Sequence, residues 1–239
     1  MNWNERSGEK EELDDLNFSG PELEQSLDEL SWVHRYLGGH NITIRTLQNA
    51  LDRIPKEYNR PIRVLDAACG GGDSLRSMAK WAKRRKINLE FFGVDGNPST
   101  IEYARNKSHE FSNINYKTED LFSKNMDWSH YDIVMFALIL HHFSDEQIKQ
   151  ILQSCHEANV AVIAVNDLHR HPWAYHLFGI LSKITGFSHV SRNDGLRSIK
   201  KAFTKEELQK HFEQSGYNEY KISWRWAFRY EAIAKRRNH

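Results

Sequence analysis

Hydrophobic positions recur along this chain with two periods, and their succession sets out the elements. From Pro21, leucine or valine stands at 23, 27, 30, 33 and 37, one face of a helix, and the run stops at Gly38-Gly39. Ile44, Leu47, Leu51 and Ile54 mark a second such face before Pro61. Both precede any strand signal and predict a helical cap, with the polar first twenty residues frayed. Beyond Pro61 the pattern changes to short apolar runs at 62–67, 89–94, 115–118, 132–138 and 160–165. Helix signals fall between them. Asp73 can cap a helix carrying Leu75, Met78 and Ala82, and Asn97-Pro98 opens one carrying Ile101 and Ala104. Ser144 and Gln147 form a capping box ahead of Ile148, Ile151, Leu152 and Cys155. Alternation of this kind predicts a mainly parallel sheet.

The end of the chain departs from the alternation. Thr204 and Glu207 box a helix with Leu208 and Phe212, and then 217–226 and 228–235 read as two strands joined almost directly. Residues 168–202, with an amphipathic segment at 173–187, form a connection of the length usually found in lids. The predicted architecture is therefore α/β: seven strands, mainly parallel, closed by an antiparallel C-terminal hairpin. Residues 1–58 make an N-terminal tail and helical cap, 59–239 the sheet domain, and 168–202 a helical lid inserted after strand five.

Composition narrows the function classes. A chain of 239 residues holds one such domain with a lid. A mean hydropathy of −0.70 concentrates the core in a few strands. The longest apolar run, 133–140, is well short of the ~20 residues of a membrane span. No apolar stretch of a secretory signal opens the chain, so a cytoplasmic protein is expected. Cys69 and Cys155 are too few for a disulfide framework and lack metal-ligand spacing; no metal is expected. The net charge of +1 is split between an acidic stretch at 5–29 and Lys235, Arg236 and Arg237, with no gathered cationic patch for nucleic acid.

Candidate chemistry begins at Leu65-Asp66-Ala67-Ala68-Cys69-Gly70-Gly71-Gly72-Asp73, where strand one turns into a helix. Small residues there let backbone approach a ligand, a feature shared by several nucleotide folds. Asp73 separates them, because it puts a carboxylate at the helix N-terminus where a dinucleotide would need its pyrophosphate. A ligand ending in a sulfonium and an amino acid meets no such repulsion. Strand two ends at Val94-Asp95-Gly96-Asn97, an acid placed to accept ribose hydroxyls unless it serves as a turn or capping residue. After strand three, Thr118-Glu119-Asp120-Leu121-Phe122 offers a carboxylate to an adenine amino group and apolar side chains to its face. Strand four runs through Tyr131-Asp132-Ile133-Val134-Met135-Phe136-Ala137-Leu138-Ile139-Leu140-His141-His142-Phe143.

These four motifs, in this order and spacing, resemble those of the class I S-adenosylmethionine-dependent methyltransferases, close to the UbiE and ubiquinone-type small-molecule group, over roughly residues 62–235. The resemblance implies a Rossmann-like fold and S-adenosylmethionine as cofactor. It further implies that Asp66, Ala67, Ala68, Gly70 and Gly72 surround the methionine part, that Asp95, Gly96 and Asn97 hold ribose, and that Asp120 and Leu121 hold adenine. The carbonyls near Phe136, Ala137 and Leu138 would lie beside the amino group and sulfonium, His142 is a further cofactor-binding candidate, and a small-molecule substrate is implied as well. Ala68 departs from the usual glycine. A looser likeness, in residues 30–39 and Asn166-Asp167-Leu168-His169-Arg170-His171, is to enzymes methylating polyketide-like or quinone-like aromatic acceptors, and suggests oxygen as the methylated atom.

A phenolic acceptor, with a pKa near ~10, needs a base at neutral pH, and histidine is the natural one. His141 and His142 follow strand four; His169 and His171 follow strand five. His169, on the loop into the lid, is the first choice of base, oriented by Asp167 or Asp194, with His142 the second. The His141-His142 pair is as well suited to holding its loop. Trp32, Tyr36, His141, Asp167, Trp173 and Tyr175 are the candidate substrate contacts. The aromatic lid reads as ordinary core packing or as a wall over an apolar substrate, closing with Trp32 and Tyr36, with membrane-surface contact a third reading. Arg170, Arg192 and Arg197 offer themselves to an acidic substrate group or to surface salt bridges. Two rival readings share part of the pattern: an NAD(P)-dependent oxidoreductase, and a non-catalytic S-adenosylmethionine-binding protein.

Overall fold

The computed structural model describes residues 3–54 and 59–236. The boundary drawn after residue 58, the first two residues and Arg237 lie outside them. Seven strands form one sheet in the order β3-β2-β1-β4-β5-β7-β6. They are β1 (Ile62–Ala67), β2 (Leu89–Asp95), β3 (Ile114–Thr118), β4 (Ile133–Ala137), β5 (Val162–Leu168), β6 (Glu219–Arg225) and β7 (Arg229–Lys235). The first five run parallel, and β7 is antiparallel to both β5 and β6. Strand five begins and ends later than its apolar run, so that Asn166 and Asp167 sit in the ladder rather than in a loop, opposite Glu231 and Tyr230.

Period-two alternation in the central strands feeds two cores, one on each face. Leu65, Val134, Phe136, Ile163 and Val165 point toward α5 (Asp145–Glu157) and α8 (Lys205–Gln214). Val64, Ile133, Met135, Val162 and Ala164 point the other way, toward α2 (Gly39–Leu51) and α3 (Asp73–Arg85). The second N-terminal helix is thus one of the helices that cover the sheet: its Leu47 and Ala50 are fully buried. The capping boxes at Ser144–Gln147 and Thr204–Glu207 form, and Asn97 accepts from Ser99 and Thr100 at the head of α4 (Pro98–Lys107). Asp73 does not cap. It is the first residue of α3, whose N-cap is Gly72 in the left-handed region, and its carboxylate turns instead to two histidines.

The lid is two helices, α6 (Pro172–Ile184) and α7 (His189–Lys201), packed on each other and on α1 (Pro21–Tyr36). Residues before α1 are not frayed. Arg6 donates to the carbonyls of Lys201, His141 and Phe143 and pairs with Asp145, and Arg170 Nε donates to the Trp3 carbonyl. Asp194 accepts from the amides of Glu12 and Leu13, and Lys201 pairs with Glu11 and Asp14. Charge, with almost no apolar periodicity, fastens this segment across the lid. Among the described residues no helix is long and apolar enough to cross a membrane.

Candidate active site

A cavity of about 820 Å³ lies beyond the carboxyl ends of β1, β2, β4 and β5, where the strand order reverses between β1 and β4. Ligands of open α/β sheets bind at such a crevice. Its floor is the turn after β1. There Ala68 (φ 53°), Gly70 (φ 52°) and Gly72 (φ 71°) are left-handed, and a Cβ on Gly72 would run into the Tyr116 hydroxyl. Gly70 donates its amide to Asp95 Oδ2 at 3.0 Å, and Asn97 donates to Oδ1 at 2.9 Å. The acid at the tip of β2 therefore locks the first turn to the second, while each oxygen keeps capacity to accept from a ligand hydroxyl.

Three carboxylates face the floor. Burial raises Asp95. Asp66, 1% exposed, has one oxygen with no partner, and burial plus the charges of Asp73 and Asp95 push it well above the usual carboxylate range. Asp73 is also buried, but the imidazoles of His34 and His40, each 2.7 Å from its Oδ2, hold it well below that range. A buried carboxyl lacking a partner beside two others is stabilised by a cation and opposes a phosphate. The donor set thus fits the ammonium and sulfonium of S-adenosylmethionine and disfavours a dinucleotide.

Of the expected cofactor residues, Asp66, Ala68, Gly70, Asp95, Gly96, Asn97, Asp120, Leu121, Ala137, Leu138 and His142 line the cavity. Ala67 stands behind it in the core, and Gly72 shapes the turn without lining it. Asp120 accepts from the Phe122 amide at 2.9 Å, and Phe122 packs edge-on against Phe143 at the same end. Cys69 and Gly71 join the lining, as does Phe122.

The far wall comes from α1, through Leu23, Leu27, Leu30, Val33, His34 and Leu37, and from the lid, through Ala174, Leu177, Phe178 and Leu181. Trp32 and Tyr36 fall outside the lining, their rings tilted against each other with centroids 4.8 Å apart, and Tyr36 is 61% exposed. Trp173, 65% exposed, and Tyr175, edge-on to Trp3, likewise fall outside the lining. Helical phase explains this: the apolar face of α1 repeats at 23, 27, 30, 33 and 37, and the aromatic residues lie between those positions. The N-terminal segment adds Glu11, Leu13, Asp14 and Leu16 to the lining and closes the mouth.

The histidines separate by their partners. His142 Nδ1 lies 2.6 Å from Asp14 and 3.7 Å from Glu11, and these carboxylates raise its pKa against the opposing effect of burial. His169 is held by neither Asp167 nor Asp194. Asp167 points into the sheet edge toward His141, and Asp194 binds the N-terminal segment. His169 Nδ1 instead accepts from the Trp224 indole at 3.3 Å, so its neutral ring carries the proton on Nε2. His141 is the reverse case. It is 2% exposed; its Nδ1 lies 2.6 Å from Asp167, its Nε2 has no partner, and burial lowers its pKa. Two groups, His34–His40–Asp73 and Glu11–His141–His142, bring donor atoms within 4.8 Å of one another. The ion pairs to Asp73 account for the first; in the second, His142 pairs with Glu11 and Asp14 while His141 Nε2 has no hydrogen-bond partner.

Arg170 is taken by Glu207 and Arg197 by Asp194. Arg229, which nothing in the local sequence marks, lines the cavity in their stead.

Residues 64–159 match the family described as Methyltransferase domain. Among solved structures, the chain is similar to the CurJ carbon methyltransferase, with 16% identity and a TM-score of 0.60 over 82% of this chain and 54% of that one. It is similar to human N-acetylserotonin methyltransferase in complex with SAM, with 13% identity and a TM-score of 0.66 over 91% and 57%. It is also similar to magnesium protoporphyrin IX methyltransferase from Synechocystis PCC 6803 with bound SAH, with 18% identity and a TM-score of 0.56 over 86% and 87%. The chain thus spans little more than half the length of the first two. These likenesses establish the fold: a Rossmann-like methyltransferase sheet closed by the β7–β6 hairpin.

Proposed function

We propose, from the premise that this chain carries a class I S-adenosylmethionine-dependent methyltransferase domain, that it transfers the methyl group to an oxygen of a small, largely apolar acceptor. The observation that carries this reading is Asp66, a buried carboxyl with an unpartnered oxygen at the foot of a glycine-rich turn, flanked by two further acids. Asp66 and the carbonyls at Ala137 and Leu138 would hold the methionine ammonium, Asp95 the ribose, and Asp120 with Leu121 the adenine. When bound, the cofactor supplies an electrophilic sulfonium methyl for in-line displacement.

The chain's own part is alignment, exclusion of water and removal of one proton. Leucines of α1 and the lid supply an apolar bed for the acceptor body, and the N-terminal segment shuts it from solvent. His141 is the base this geometry favours. With its Nδ1 proton donated to Asp167, its Nε2 lone pair is available to take the acceptor's hydroxyl proton, and the Asp167 carboxylate stabilises the imidazolium that results. His169 offers an N–H where a lone pair is needed and serves as a wall. The UbiE-type likeness agrees with a quinone-like acceptor, and the similarity to the CurJ carbon methyltransferase makes a carbon acceptor the second reading.

Incubation with S-adenosylmethionine and a panel of phenols, quinones and amines tests this through S-adenosylhomocysteine release. Turnover with phenols is expected. Turnover confined to amines, or to the carbon of a quinone, would overturn the oxygen assignment. Trp173, Leu177, Ile180 and Ile184 form an exposed apolar stripe on α6, which supports contact with a lipid surface where an apolar acceptor partitions. Co-sedimentation with liposomes is the corresponding test.

A further inference from the structure

Arg229 opens β7 beside the crevice and is 3% exposed, with neither Nε nor Nη1 hydrogen-bonded. No carboxylate among the described residues pairs with it. Asp167 and Asp73 are near enough to act on it electrostatically, but each is taken by histidines, at 2.6 Å and 2.7 Å. A buried cation with two nitrogens unbonded and no carboxylate in direct contact is unfavourable, because the field of two acids already held by histidines only partly replaces the water it has lost. The guanidinium also lies against α2, with Nη1 2.5 Å from where a Cβ on Gly39 would stand. Gly39 begins that thirteen-residue helix, whose N-cap, Gly38, offers no side chain. A helix N-terminus is itself electropositive. Two positive features are thus pressed together at the wall of a cavity, an arrangement that an anion between them reverses in sign.

We propose that Arg229 and the uncapped first turn of α2 form a carboxylate-binding site. The planar guanidinium suits a planar oxyanion. A carboxylate reaches this place on either of two molecules: the methionine end of the cofactor, or an acceptor that is itself a hydrophobic acid seated on Leu30, Val33 and Leu37. The anion site stands independently of the methyl-transfer reading; its assignment to cofactor or acceptor rests on that reading.

The test uses the full chain, its Arg229→Met variant and its Arg229→Lys variant, with benzoate, benzamide, S-adenosylhomocysteine and 5′-methylthioadenosine as probes. Removing an unpaired buried charge leaves Arg229→Met at least as heat-stable as the parent in carboxylate-free buffer, and Arg229→Lys keeps the charge should that variant not fold. If the cofactor tail is the ligand, Arg229→Met loses about 10- to 100-fold in affinity for S-adenosylhomocysteine and none for methylthioadenosine. If an acidic acceptor is the ligand, S-adenosylhomocysteine binding is unchanged. In that case benzoate, but not benzamide, raises the melting temperature of the parent and fails to raise that of Arg229→Met; Arg229→Lys responds in between. Unchanged S-adenosylhomocysteine affinity together with equal benzoate responses in parent and variants would overturn the site. A parent that binds no S-adenosylhomocysteine yet responds to benzoate through Arg229 would leave the site standing and remove the methyltransferase reading.

Discussion

Left-handed backbone at Ala68, Leu138 and Phe228 places three residues with side chains in a conformation they disfavour, and all three line the cavity. Strain of this kind costs on the order of 1 kcal/mol per residue and collects at functional sites. Glycine adopts the conformation freely, so Ala68→Gly should raise the melting temperature modestly while leaving S-adenosylhomocysteine affinity intact; calorimetric unfolding and titration check both. Asp66 yields a second expectation. Its pKa is raised in the free protein, and a bound cation lowers it, so over the pH range in which the free protein keeps Asp66 protonated, cofactor binding should release protons. Titration in buffers of different ionisation enthalpy measures the number, and uptake would contradict the assignment. For the base, His141→Gln and Asp167→Asn should each lower kcat by about 10²- to 10⁴-fold with cofactor affinity unchanged, whereas His169→Gln should leave kcat within about tenfold. Because burial lowers the His141 pKa, its base form persists below pH 6.5, and the acid limb of the kcat profile should fall below that value. Asp66, Asp95 and Asp120 were legible because each lies at or just past the carboxyl end of a strand that the sequence signals. The His141–Asp167 pair was not, because its members lie 26 residues apart and meet only through the parallel register of β4 and β5.

At the level of elements, the segment before α1 is the part of the structure least visible in the sequence. Its polar residues carry no helical or strand period, and polarity without period reads as an unfixed tail. It is held instead by Arg6, Glu11, Asp14, Asp194 and Lys201, partners nearly two hundred positions apart in several cases. Deleting residues 3–18 should weaken S-adenosylhomocysteine binding, since Glu11, Leu13, Asp14 and Leu16 leave the cavity wall with it. The fastening is pH-dependent. His142 has a raised pKa in the folded chain, so its contribution is complete below about pH 6.5 and declines as pH rises through the raised value. Asp14 has a lowered pKa, so its contribution is present above the ordinary aspartate range and is lost only in strong acid. The segment should therefore be tightest in mild acid and loosen on the alkaline side. Cleavage by an added protease within residues 3–18 should accelerate as pH rises from 6 to 8 in the parent and not in His142→Gln. The lid was foreseen as an element, but its aromatic residues Trp173 and Tyr175 face away from the cavity because helical phase, more than residue type, decides which side chains enter.

For the molecule as a whole, the seven strands, mainly parallel with an antiparallel C-terminal hairpin, could be anticipated from alternating short apolar runs and capped helices, each of which is a local signal that tertiary packing reinforces. What the pattern could not supply was the assignment of α2 to the sheet face, because an amphipathic helix buries one side whatever it packs on. The central claim is that one crevice, formed by the ends of β1, β2 and β4, takes an adenosyl sulfonium ligand in preference to a dinucleotide. Calorimetric titration of the full chain with S-adenosylhomocysteine, with NAD as the comparison, tests it most directly. One S-adenosylhomocysteine bound per chain, abolished or severely weakened in Asp95→Ala, with no heat from NAD, is the expected result; saturable NAD binding with no S-adenosylhomocysteine binding would overturn the assignment.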